Sequence, residues 1–188
     1  MSPRQLPVLS LAIAGTFLAV AAGCAHVGGN PSPGSAFSLS GSGFETTAEV
    51  TANGAVGPQI DVGRYDDGKT FRGTAFGRPV DLSASGESVR GTFGITPFEL
   101  DVTDSGPKAF RVTGLIAGVP STFSADPEQI EGTIGHCSYD LRWAGQSYLG
   151  TRSCAGGIQS VALRLPQTIS SWSNTDVAVL MALLMPAV

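Results

Sequence analysis

The 188-residue chain is 42% apolar but only 14% charged, against about 25% charged in an average soluble domain. That composition excludes intrinsic disorder, which goes with low hydrophobicity and high charge, and the length suffices for one domain with a real core. A net charge of −4, with Lys69 and Lys108 the only lysines, argues against a nucleic-acid partner, because phosphate neutralisation needs clustered Lys and Arg.

Met1 to Arg4 is a short positive stretch, and Val8 to Ala22 is an apolar run broken only by small or hydroxyl residues. The run has the length of a signal-peptide core and falls short of the ~20 residues that a membrane-spanning helix needs. It ends in Val20-Ala21-Ala22-Gly23-Cys24. This segment resembles the lipobox of bacterial lipoprotein precursors, with Ala21 standing where that family usually carries Leu. The resemblance implies removal of residues 1–23, acylation of Cys24, and an exported protein whose membrane partner is reached through that lipid. The expected address is the cell envelope, on the outer membrane facing the periplasm or the surface. Ordinary secretion, with cleavage in the Ala/Gly stretch, is the alternative reading.

Residues 24–36 follow as a flexible tether, since Ala25 to Ala36 hold three Gly, two Pro, two Ser and one Asn. His26 lies inside it and reads as solvated. The remainder, 37–188, reads as a single domain. Phe44 to Ala52, an Asn53-Gly54 turn and Pro58 to Arg64 form a first hairpin. Asp66-Asp67-Gly68 lacks the spacing of an EF-hand loop and reads as a turn.

An internal repeat organises the rest. A twelve-residue segment, apolar-x-Gly then usually Thr, a turn and a closing x-Leu or x-Phe, starts at Phe71, Val89, Val112 and Ile130, with a degenerate copy at Tyr148. Within each copy apolar and polar residues alternate with period two, so each copy is a hairpin of half-buried strands. About twelve short strands result. The expected fold is all-β: an antiparallel meander of repeated hairpins curled into a barrel or half-barrel, a shape that removes exposed edges.

Register follows from the turns. The first repeat puts Phe71 opposite Leu82 and Arg72 opposite Asp81; the second puts Arg90 opposite Glu99; the fourth sets Glu131 against Asp140, with Arg142 as the expected compensation. A two-residue Gly145-Gln146 loop aligns Trp143 with Tyr148, Tyr139 with Arg152, and Cys137 with Cys154. Paired strands bring Cα atoms to about 4.5–5.5 Å, inside disulfide range, so a Cys137 to Cys154 disulfide is expected. The odd third cysteine is then Cys24.

The repeat glycines Gly73, Gly91, Gly114, Gly132 and Gly150 fall on the apolar face. Glycine inside a strand permits bending or close approach, so either the sheet curls there or something lies in the groove. Ser173-Asn174-Thr175-Asp176 and the apolar run to Met185 read as a capped helix over 174–185, ended by Pro186. Apolar nearly all round, it must be buried. It is expected on the concave sheet, the alternative being a partner or membrane surface.

No catalytic, nucleotide-binding or metal signature is present, and His136 is the only histidine outside the tether. No cofactor, metal or catalytic residue is therefore assigned. Next to Cys137, His136 points to the opposite strand face and reads as a turn residue. Tyr139, Trp143 and Tyr148 share one face and can line an apolar cavity, although aromatics there are more often core. The expected function is a non-catalytic, lipid-anchored envelope protein acting through structure or surface contact with an envelope partner. The alternative is a barrel binding a small hydrophobic ligand or lipid, an interior that the helix would abolish by filling it; a hydrolase is the remote third.

Overall fold

The structure, a computed structural model, describes residues 34–186. Fourteen antiparallel strands run in chain order: β1 (Ala36–Gly41), β2 (Phe44–Thr51), β3 (Gly54–Gly57), β4 (Ile60–Tyr65), β5 (Thr70–Ala75), β6 (Arg78–Ser85) and β7 (Ser88–Phe93). They continue as β8 (Thr96–Gly106), β9 (Ala109–Ile116), β10 (Val119–Ala125), β11 (Gln129–Ile134), β12 (Cys137–Trp143), β13 (Tyr148–Cys154) and β14 (Gly157–Arg164). Each strand pairs with its sequence neighbours, and β1 closes onto β14 to complete the barrel. One α-helix among the described residues, α1 (Asn174–Leu184), follows.

The two strands beyond the expected twelve are β1 and β3. The first begins at Ala36, the last residue assigned to the tether, and the second is the four-residue Gly54–Gly57, too short to show alternation. The Asp66–Gly68 turn is a 3-10 turn in which Asp66 and Asp67 both adopt the left-handed conformation. The β5–β6, β7–β8, β11–β12 and β12–β13 registers match those expected from the turns. Two charge details differ. Arg90 stands opposite Glu99 but reaches diagonally to Asp101, 2.6 Å away, and that hydrogen bond, with one from Ser88, lowers the Asp101 pKa. Glu131 faces Asp140 as expected, but it is Gln129 that donates to Glu131, at 2.8 Å.

The barrel wall is apolar inside and polar outside. Along β8, Phe98, Leu100 and Val102 are buried while Glu99, Asp101 and Thr103 are exposed. A transmembrane barrel shows the opposite polarity. Among the described residues no helix is long and apolar enough to cross a membrane.

Eight strands leave an interior that side chains can fill, and fourteen leave a wider one. Here α1 fills it. Ala178 to Met185 are all buried, and the helix end residues contact β4, β8, β12 and the turns at both barrel ends. The repeat glycines make room for this arrangement. At Gly91, with φ of 154°, a Cβ would overlap the Asp81 carbonyl oxygen on the preceding strand, so only glycine allows the strands to close up there. Gly73, Gly114, Gly132 and Gly150 meet the corresponding carbonyls of Asp61, Glu99, Thr122 and Asp140. The sheet curls at these positions, and Leu82 and Phe98 flank Gly91 in register.

Candidate functional site

The barrel has two unlike ends. At one, which we call the mouth, the chain enters at Gly34 and α1 begins. Ser173 and Asp176 form a capping box, each side chain accepting a hydrogen bond from the other's backbone N–H. The Asp176 carboxylate, 3% exposed as a residue, also pairs with Arg64 on β4 at 2.8 Å. The guanidinium of Arg64 lies 5.4 Å from the centre of the Trp172 ring. Asn174 donates to Asp104 at 2.7 Å, and Thr175 donates to the Gly86 carbonyl at 3.2 Å. The β8–β9 hairpin can reach Asn174 because β8 is eleven residues long. The Ser105-Gly106-Pro107 insertion that broke the repeat spacing therefore serves to hold the helix.

Beside this helix start is a pocket of about 580 Å³, within the usual range for small-molecule sites. Its wall is apolar, with Phe110, Ile130, Leu165, Ile169, Val177 and Met181 among the lining residues. Lys108 and Asp126, both exposed, stand on adjacent turns of the rim, since Phe110 on β9 pairs with Ala125 on β10. Trp143 and Tyr148 pack edge to face with ring centres 5.1 Å apart. The Tyr148 hydroxyl donates to the Asp126 carbonyl at 3.0 Å, and burial, with the Asp126 charge adding to it, raises its pKa. Trp172, also on the wall, has a buried indole N–H with no acceptor among the described residues.

At the other end, the closed end, Cys137 and Cys154 have Cα atoms 4.4 Å apart and sulfurs at disulfide distance. The Nε of Arg152, a buried residue, donates to Cys154 at 2.8 Å and Cys137 at 3.3 Å, and its guanidinium lies 4.6 Å from the centre of the Phe44 ring. The Tyr139 hydroxyl donates to the Met185 carbonyl at the end of α1. Burial pushes the Tyr139 pKa up to about 12, against the opposing pull of Arg152.

The structure thus divides the aromatic trio read from one strand face. Trp143 and Tyr148 meet at the pocket, whereas Tyr139 lies four residues down β12, about 13 Å away at ~3.3 Å per residue, and is tied to the helix end. His136 is exposed in the β11–β12 turn. Cys24 and His26 lie outside the described residues. Missed from the sequence were Arg64, Arg152, Lys108 and Trp172. The register already set Arg152 opposite Tyr139, and a charge on the apolar face was the signal that could have found it.

No protein-family model matches this chain, and neither the curated proteins nor the solved structures contain a match to it.

Proposed function

We propose that the chain is an exported lipoprotein, held in the bacterial envelope through lipid on Cys24, whose barrel works without catalysis, through structure or surface contact. The carrying observation is the cysteine geometry. Of three cysteines, Cys137 and Cys154 stand at disulfide distance, as suits an oxidising compartment. That leaves Cys24, directly after the lipobox-like segment, for modification. The barrel interior is occupied by the chain's own helix, so a ligand cavity through its centre is not part of this reading. Tether length agrees with anchorage: the Gly34 carbonyl is held by the Gln167 N–H at 2.8 Å. Ten residues from Cys24 then reach at most about 35 Å.

Expression of the full chain in a bacterial host, followed by membrane fractionation and intact mass analysis, tests the proposal. The expected product is in the membrane fraction, begins at Cys24 and carries acyl mass, and a Cys24→Ala variant leaves that fraction. A wild-type product with an unmodified Cys24 thiol, or cleaved elsewhere, overturns it.

A further inference from the structure

We propose that the mouth pocket binds a single-chain zwitterionic amphiphile, one acyl chain with a headgroup of the lysophospholipid type. Three observations carry this. The pocket lining is mainly apolar, and among the described residues its only charged side chains are Lys108 and Asp126 at the rim, which suits a hydrocarbon chain with a polar head. Its rim carries one cation and one anion on neighbouring turns, Lys108 and Asp126, matching a phosphate and an ammonium in one headgroup. The pocket also opens where the tether leaves: Gln167 lines it and donates its backbone N–H to Gly34.

The last point rests on the anchored reading, which supplies the source of the ligand: a tether of at most about 35 Å keeps the mouth near the bilayer. The first two do not depend on it. Other surface features were weaker. The shallow depression around Leu149, Val161 and Ala162 on the outer wall has nothing to identify an occupant.

The protein contains its own reporter, because both of its tryptophans, Trp143 and Trp172, line the pocket. Purified full-length protein is titrated with dodecanoyl lysophosphatidylcholine below its micellar concentration, and with dodecanoate as the anionic comparator, following tryptophan emission. The expected result is a saturable change, with dodecanoate binding at least fivefold more weakly. Val177→Phe, which fills the pocket from the helix, lowers affinity at least tenfold. Lys108→Glu, on an exposed turn and with its thermal unfolding retained, lowers lysophosphatidylcholine affinity about fivefold. Absence of a saturable change with either probe, or equal affinity in Val177→Phe with its thermal unfolding retained, overturns the pocket; tighter binding of dodecanoate, or no effect of Lys108→Glu, overturns the zwitterionic headgroup. Intact mass of the same preparation reports the lipid on Cys24 independently, so failure of the anchored reading is told apart from failure of the pocket.

Discussion

The mouth and the closed end hold the two ends of one helix by different means. The closed-end turns, residues 42–43, 58–59, 76–77, 94–95, 117–118, 135–136 and 155–156, contain no charged residue, and Ile95 there is fully exposed. Behind them sit a disulfide-spaced pair, a buried arginine and the Tyr139 contact to the last helical turn. The mouth turns carry Asp66, Asp67, Lys69, Glu87, Lys108, Asp126 and Glu128, and the helix start is held by an ion pair and side-chain hydrogen bonds. The closed end is therefore held by packing, by the Tyr139 hydrogen bond and by a wall whose β12 and β13 carry cysteines at disulfide distance. The mouth relies on oriented polar contacts and keeps open space beside them, which is where a binding site can exist.

Removing the helix breaks both ends at once and has the largest expected effect. Burial of Val179, Leu180, Met181, Leu183, Leu184 and Met185, at ~1.5–3 kcal/mol each, is on the order of 10 kcal/mol. That upper bound is comparable to the whole net stability of a domain, ~5–15 kcal/mol. A chain ended at Ser173 is expected to show no cooperative unfolding transition by circular dichroism. A sharp melt would mean that the wall is stable empty.

Next comes the mouth alone. Asp176→Ala removes the capping box and leaves the Arg64 guanidinium without its carboxylate. The cost should be about 3–4 kcal/mol in urea unfolding, as when one partner of a buried pair is deleted. At the closed end, replacing both Cys137 and Cys154 by Ser should cost about 3 kcal/mol, given the 17-residue separation. The ends are an eleven-residue helix apart, roughly 16 Å. The two changes should then add within about 0.5 kcal/mol; a larger coupling would show that the helix transmits strain between them.

Tyr139→Phe deletes the hydrogen bond to the Met185 carbonyl and should cost about 1–2 kcal/mol. It also carries a pH signature. The folded pKa is near 12 and the ordinary value is 10.0, so the unfolded chain gives up this proton first. The stability contributed by neutral Tyr139 is full below pH 10 and is lost as pH rises towards 12. Tyr148 shifts in the same direction. Denaturant melts from pH 9 to 11.5 should decline less steeply in Tyr139→Phe. An equal slope would place the alkaline sensitivity elsewhere. The smallest effect is expected from Arg72→Ala, whose ion pair with Asp81 is about two-thirds exposed on both sides. A loss under about 0.5 kcal/mol is expected there.

Much of the wall is legible in the residues because strand periodicity and turn length are local properties. Once Gly145-Gln146 is read as a two-residue loop, every β12–β13 pair follows, including the cysteine alignment. The barrel's closure was narrowed to two shapes, and the fold decided for the closed one through β1, whose Ser38–Gly41 stretch pairs with the distant β14. No local pattern announces such a partner. The β3 strand was invisible for the opposite reason, being a four-residue GAVG that reads like the turns around it.

The sequence by itself determined the hairpin repeat, the capped apolar helix and the cysteine register, since each depends on neighbours within a few residues or across one turn. Only the tertiary structure decided that the helix runs inside the barrel, that Arg64 meets Asp176 across 112 positions, and that Trp143 joins Trp172 at a pocket while Tyr139 does not. These depend on how fourteen strands curl around a lumen. That curvature arises where five glycines let neighbouring backbones close up, and its sum around the ring is not written in any one segment.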